Sequence, residues 1–290
     1  MRIGVVFPQT ELGGDVGAVR AYGEAVEGLG YTHILAYDHV VGADPTVHTG
    51  WTGPYDSWTT FHEPFVMFGF LAGVTSVELV TGVIILPQRQ TALVAKQAVE
   101  VDLLTGGKFR LGVGVGWNHV EYEALGKSFD DRGRRMSDQI ALLRRLFTEQ
   151  TITDEGTYET IRGAGLAPMP LQQPIPIWVG GSSVAAYKRM GRLSDGWFPQ
   201  VRPGPDLDTA LEVIAEAARD AGRDPASIGM EGRAAWKADD PDQIARQTAR
   251  WQDAGASHLT LDTMRAGLAT VDDHIAALAA AAQLIGIHSS

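Results

Sequence analysis

The sequence predicts a closed parallel α/β barrel, the TIM (β/α)8 fold, and three observations predict it. Short β-rich runs alternate strictly with amphipathic helical stretches; eight such pairs can be counted; and 290 residues lie in the range in which such a barrel closes. Connections of this crossover length are right-handed, which favours closure over an open sheet. Residues 1–290 read as a single domain, without linker or low-complexity segment.

The first strand, at residues 3–7, is followed by Val19, Tyr22, Val26 and Leu29 at helical spacing, with Gly30 as the stop. The second strand, at 33–37, runs into a Gly-, Pro- and Trp-rich stretch at 38–60. Pro64 then opens a helix with Phe65, Phe68 and Ala72 on one face. A third strand at 79–86 precedes a helix carrying Val94, Ala98 and Val101, and a fourth at 109–113 precedes one marked by Met136, Ile140, Leu143 and Phe147. Residues 148–173 break the rhythm with a strand-like run at 157–161 and breakers at Pro168, Pro170 and Pro174, so they read as an insertion between helix four and strand five. Strand five at 175–179 delivers Gly180-Gly181-Ser182-Ser183 to a helix. Strand six at 196–198 is backed by Leu207, Leu211, Ile214 and Ala218. Strand seven near 228–230 is followed by Ile244, Thr248 and Trp251, and strand eight at 258–261 by Ile275, Leu278, Ala282 and Ile285.

Composition narrows the function. With 44% hydrophobic and 20% charged residues the chain is an ordinary globular one, with no tract too polar to fold. A formal charge of -11 argues against nucleic acid or an anionic membrane as partner, because displacing counterions needs clustered Lys and Arg. Any anion site must be local. The absence of cysteine removes disulfides, thiolate metal sites and cysteine nucleophiles, which makes the cytoplasm the expected compartment. No run approaches the roughly 20 apolar residues of a membrane helix, and residues 1–8 lack a cleavage pattern, so export and anchoring are not expected.

Barrel chemistry sits at the C-terminal ends of strands, which can be searched directly. Asp38-His39 follows strand two; the imidazole can exchange a proton near neutral pH, and an adjoining carboxylate can fix its tautomer, although a solvated loop pair is the plainer reading. Thr81-Gly82-Val83 puts a glycine inside strand three, which marks either a bulge or close approach of a ligand. Gly112-Val113-Gly114-Val115-Gly116-Trp117 leaves strand four. A dinucleotide fingerprint fails there because Trp117 stands where its third glycine belongs, leaving a ring lying close to the backbone or a Gly-rich turn with a core Trp. Gly180, Gly181 and Ser182, with Ser183, expose amides at a helix N-terminus that suit a phosphate or a simple cap. Asp195-Gly196-Trp197 reads as a turn and a core aromatic without a catalytic role. His62-Glu63 before Pro64 reads as helix entry, and no metal site is expected.

These residues in this order make the chain resemble luciferase-like monooxygenases, within them the oxidoreductases dependent on the deazaflavin coenzyme F420. The resemblance runs nearly end to end. It rests on Asp38-His39, on Leu79-Val80-Thr81-Gly82-Val83, on residues 111–117 with Glu121-Tyr122-Glu123-Ala124-Leu125-Gly126, and on residues 178–182 followed by Asp195-Gly196-Trp197. It implies a cofactor ring over a bulge in strand three with a non-prolyl cis peptide, here Gly82-Val83, flanked by Asp38, Thr81, Gly114 and Gly116. It also implies a phosphate on Gly180, Gly181 and Ser182, and an acidic tail near Lys188, Arg189 or Arg192. His39 matches the proton-handling histidine of related dehydrogenases. Trp117 stands where the sugar-phosphate branch has a catalytic carboxylate, the nearest acid is Glu121, and the acid–base partner is left open.

The resulting expectation is hydride transfer between F420 and a small organic substrate. His39 moves the proton, Asp38 lies beside it, Trp117 shapes the pocket, and residues 42–60 form a lid. The resemblance also implies a homodimer. Three alternatives stand beside it: an FMN-dependent monooxygenase on the same scaffold, a metal-dependent hydrolase using Asp38, His39 and His48, and a barrel that binds cofactor without turnover.

Overall fold

The computed structural model describes residues 1–288. The first half of the chain forms β1 (Arg2–Val6), α1 (Gln9–Leu12), α2 (Val16–Gly28), β2 (His33–Ala36), α3 (Pro64–Leu71), β3 (Glu78–Thr81), β4 (Ile84–Ile85), α4 (Thr91–Leu104), β5 (Phe109–Gly114), α5 (His119–Ala124) and α6 (Arg132–Thr148). The second half adds β6 (Ile152–Glu155), β7 (Thr160–Ala164), β8 (Ile177–Gly180), α7 (Val184–Leu193), β9 (Gly196–Phe198), α8 (Pro205–Asp220), β10 (Gly229–Ala235), α9 (Gln243–Asp253), β11 (His258–Asp262) and α10 (Val271–Ile285). Parallel pairing runs β3-β2-β1-β11-β10-β9-β8-β5, and β3 pairs β5 to close the ring. The predicted (β/α)8 barrel is therefore the fold. No helix among the described residues is long and apolar enough to cross a membrane.

The third predicted strand needs correction: it is interrupted. Val80 faces Arg110 and Ile84 faces Val113, so residues 81–83 on one side oppose only residues 111–112 on the other. One extra residue on one strand is a bulge, which bends the strand and re-aims its side chains. The peptide between Gly82 and Val83 is cis.

The insertion also differs from expectation. It is an antiparallel hairpin of β6 and β7 with Glu155 opposite Thr160, so the strand expected at 157–161 is mostly turn, and the arm before it gave no apolar alternation to find. Buried Asp102 on α4 ties the chain beyond the hairpin to the barrel, accepting hydrogen bonds from the Leu171 and Gln172 amides at 2.6 and 3.1 Å and from Gln172 Nε2 at 2.8 Å. Glu63 enters α3 as expected, its Oε2 accepting from Val66 N at 2.8 Å.

Inside the barrel an apolar layer of Val6, Leu35, Val80, Trp178 and Phe198 lies over a polar one nearer the strand starts. There Arg110, 2% exposed, pairs with Glu231 and, at 3.2 Å, with Glu78, and its guanidinium lies 4.3 Å from the Trp178 ring centre. His33 Nε2 meets Glu231 at 2.9 Å, and the Thr260 hydroxyl donates to the same carboxylate. Burial alone would push the Glu231 carboxyl up; Arg110 and His33 outweigh it and hold it well below the ordinary carboxylate range. Every charge taken out of water here has an opposite partner, the condition under which a buried ionic layer is tolerated.

His258 borders this layer, its ring edge-on to Trp178 at 5.0 Å. Burial, reinforced by the Arg110 charge, pushes its imidazole down to about 3. The unfolded chain takes up a proton on this ring below its ordinary value of 6.5, while the folded chain stays neutral there to about 3. Stability from this group is therefore complete above pH 6.5 and lost as pH falls toward 3. Urea midpoints across that window should fall less steeply for His258→Gln than for the wild type; identical slopes would remove His258 as the source.

Candidate functional site

The bulge decides what the neighbouring strand can carry. A Cβ on Gly112 would lie 1.8 Å from the Thr81 carbonyl oxygen, one on Gly114 would lie 2.6 Å from a Val83 methyl, and one on Gly116 would lie 2.7 Å from Ile85 Cγ2. The alternating glycines thus face one neighbour, the β3–β4 stave, at the period of two that a strand imposes. They make room for the bulge. Across the barrel wall Gly180 completes the socket, since its Cβ would meet Val83 Cγ1 at 3.2 Å.

Asp38 fastens the same bulge. Its Oδ1 accepts from Arg89 NH2 at 2.7 Å and its Oδ2 from the Ile85 amide at 3.1 Å, while Arg89 NH1 reaches Glu63 at 3.1 Å. Burial pushes the Asp38 carboxyl up from its ordinary value, with Arg89 pulling the other way. The expectation that Asp38 orients His39 is thereby corrected, because both its oxygens are committed elsewhere.

The carboxylate that meets His39 is Glu121, 82 residues away, with Oε1 3.2 Å from Nδ1. It is carried by α5, a six-residue helix absent from the sequence reading. Asn118 caps that helix, accepting from Val120 N at 3.1 Å and Glu121 N at 3.2 Å; the Asn-x-x-Glu spacing was the available signal. Glu121 Oε1 also accepts the Val40 amide at 2.6 Å and the Val41 amide at 3.3 Å, and Oε2 accepts Gln88 Nε2 at 2.9 Å. Burial pushes this carboxyl up, but the hydrogen bonds and charge of His39, with those from Gln88 and Val40, together hold it below its ordinary value. The His39 ring is wedged among Phe61, Trp117 and Tyr55, with centroids at 4.9, 5.4 and 5.3 Å.

These groups share a cavity of about 490 Å³ at the C-terminal rim. Asp38, His39, Glu121 and Trp117 line one end. Gly82, Val83, Gly114 and Gly116 line the floor, and Gly180, Gly181, Ser182 and Ser183 the far end. Four chain segments distant in sequence therefore converge. Gly181 turns the chain with a positive φ of 145°, and Ser183 caps α7 by accepting from Ala186 N at 3.2 Å. The first amides of α7 are left without intrahelical partners, as a phosphate site requires.

Two predicted residues fall outside the cavity. Thr81 is fully buried, its hydroxyl both donating to Gly112 O and accepting from Gly112 N at 2.8 Å, so its side chain splints β3 to β5. Lys188 lies exposed on α7 away from the lining. Its neighbour Arg189 turns to α6, donating to Ser137 Oγ at 2.9 Å and Gly133 O at 2.7 Å, and so is withdrawn from any cofactor tail.

Tyr37, Gln200 and Arg233 also line the cavity, and none of them is marked by a motif in the sequence. Arg233 NH1 donates to Tyr37 Oη at 3.0 Å, and Tyr37 Oη donates onward to Asp262 at 3.4 Å. Arg233 lies in β10, which runs on to Ala235, beyond the 228–230 expected of this strand.

The loop expected as a lid folds back on itself. Ser57 N donates to Ala43 O at 2.9 Å, Trp51 Nε1 to Tyr55 O at 2.9 Å, and the Trp51 and Trp117 rings lie 5.6 Å apart. His48 lines a separate loop cavity with Trp51, Trp117 and His119. It does not join Asp38 and His39, and among the described residues no three His, Asp or Glu side chains group closely enough to hold a metal ion.

A family model described as luciferase-like monooxygenase matches residues 1–284. A curated relative, the phthiodiolone/phenolphthiodiolone dimycocerosates ketoreductase of Mycobacterium kansasii, is 34% identical over 174 residues, 58% of this chain and 47% of that protein. The matched stretches span about half the length of the first curated relatives, 56% of theirs. Among solved structures, the coenzyme F420-dependent tetrahydromethanopterin reductase of Methanopyrus kandleri superposes with a TM-score of 0.78 at 13% identity, over 100% of this chain and 99% of that one. The monooxygenase RslO1 of Streptomyces bottropensis does so at 0.76 and 19% identity, over 100% of both.

The Asp38–Arg89 pair should be a principal support of the floor. Arg89→Met strands a buried carboxylate and should cost about 3 kcal/mol. Asp38→Asn combined with Arg89→Met should recover part of that loss in urea unfolding, and equal losses in single and double variants would contradict the pairing.

Proposed function

The chain belongs to the luciferase-like monooxygenase family, and from that membership we propose that it is an F420-dependent oxidoreductase passing hydride between the deazaflavin and a small organic substrate. The observation that carries this reading is the carboxylate-backed His39 at one end of a cavity whose other end is a phosphate-type helix start. Hydride transfer to or from a carbon–oxygen group needs a proton acceptor or donor beside the oxygen, and a histidine serves near neutral pH.

The donor set fits such a cofactor. The floor at Gly82 and Val83 offers backbone and a small apolar side chain for a flat ring, and Gly181, Ser182 and Ser183 offer amides and hydroxyls for a phosphate. When bound, F420 supplies a hydride-accepting carbon. The protein contributes orientation and proton handling. When an alcohol is oxidised its hydroxyl proton passes to His39, and in the reverse direction His39 returns that proton to the carbonyl oxygen. Trp117, Tyr55 and Phe61 hold the His39 ring and exclude water from it. The fold likeness to an F420-dependent reductase and the sequence likeness to a ketoreductase support this class of chemistry.

Fluorescence titration should give tight binding of F420 and much weaker binding of FMN. With alcohols and ketones as substrates and F420 absorbance as the readout, His39→Ala should lower turnover by about 10²- to 10⁴-fold, with F420 affinity kept within several-fold. Tight FMN binding without F420 binding would place the chain with the flavin monooxygenases, and unchanged turnover would remove His39 from the reaction.

A further inference from the structure

We propose that Glu121 is a positioning residue that fixes His39 in the Nδ1–H tautomer and so presents a bare Nε2 to the cavity. This deepens the reading of His39 as the proton carrier and rests on it.

An ionised carboxylate only accepts. Oε1 already takes the Val40 and Val41 amides and Oε2 takes Gln88 Nε2, so the Glu121 group is built to receive donors from every direction. Its side chain is 1% exposed, which leaves no solvent to supply a donor in place of the ring. Nδ1 at 3.2 Å can meet this oxygen favourably only when it carries hydrogen. A neutral imidazole has one N–H, so Nε2 then holds a lone pair, and among the described residues nothing hydrogen-bonds it. Turning the ring over would set a C–H against the carboxylate, and the three surrounding aromatic rings hold it in place. Asp38, the adjacent acid, cannot substitute because Arg89 and the Ile85 amide occupy its oxygens.

The competing account is that Glu121 only splints the Val40–Val41 backbone to Gln88. The two differ in what they predict for the ring. Substitution with glutamine must still place an oxygen opposite the Val40 amide, and Gln88 Oε1, buried without a partner, can turn to receive the new amide N–H. Glu121→Gln therefore keeps an acceptor at Nδ1, whereas Glu121→Met removes it.

The full chain labelled with [15N]histidine, with His39 assigned by the peak lost in His39→Gln, reports the tautomer at alkaline pH, where an ordinary imidazole is neutral. The wild type should show Nδ1–H over Nε2–H by about tenfold or more. Glu121→Gln should retain that preference and Glu121→Met should reverse it. A wild-type ring mainly in the Nε2–H form would overturn the proposal even if no variant folds, as would a Glu121→Met ring unchanged from wild type. The measurement needs neither cofactor nor substrate. A normal tautomer result with no F420 turnover would therefore sink the proposed function alone, and the reverse outcome would sink this inference alone.

Discussion

The site depends on one extra residue in the β3–β4 stave. Because residues 81–83 oppose only residues 111–112, the backbone at Gly82 and Val83 is carried forward into the rim. The strands on either side must then give up side-chain volume to receive it. Gly112, Gly114 and Gly116 on β5 and Gly180 on β8 do so, Thr81 stitches the two strands, and Asp38 with Arg89 holds the Ile85 amide beyond the bulge. A backbone displaced without these partners would leave unpaired groups in a buried wall, which is why they occur together.

The same arrangement separates two acids that the sequence sets near one histidine. Asp38 adjoins His39 in the chain but works on the floor; Glu121, far off in the chain, works on the imidazole. Proximity along the chain is a poor guide to contact here, because Arg89 and the Ile85 amide take Asp38 while α5 brings Glu121 to the imidazole. The polar layer at the opposite end of the barrel follows the same accounting, with Arg110 shared between two carboxylates and His33 completing the second.

Local patterns are visible in the sequence, and long-range pairings are not. The eight staves and their helices were readable because burial on both faces of each strand and one face of each helix leaves periodic apolar runs. The glycine clusters were readable as positions, but their reason was not: the close approach is made by Val83 and Ile85 of the neighbouring stave, a fact of pairing that no single run contains. Glu121 was visible as the nearest acid, yet its partner was settled by α5, a helix too short to show periodicity. Arg233 was missed because β10 runs to Ala235, past its apolar start. Lys188, read as a tail-binding cation, lies outside the cavity, since a helix puts only part of its surface toward the rim.

The proposed function requires one flat heterocycle to rest on the Gly82-Val83 floor, its phosphate at the start of α7 and His39 at its edge. A crystal structure of the chain with F420 tests that most directly. The ring should lie against Val83, with phosphate oxygens within hydrogen-bonding distance of the Gly181, Ser182 or Ser183 amides and His39 Nε2 facing the space above the ring. A cofactor bound in the loop cavity beside His48, or with its phosphate away from α7, would contradict it.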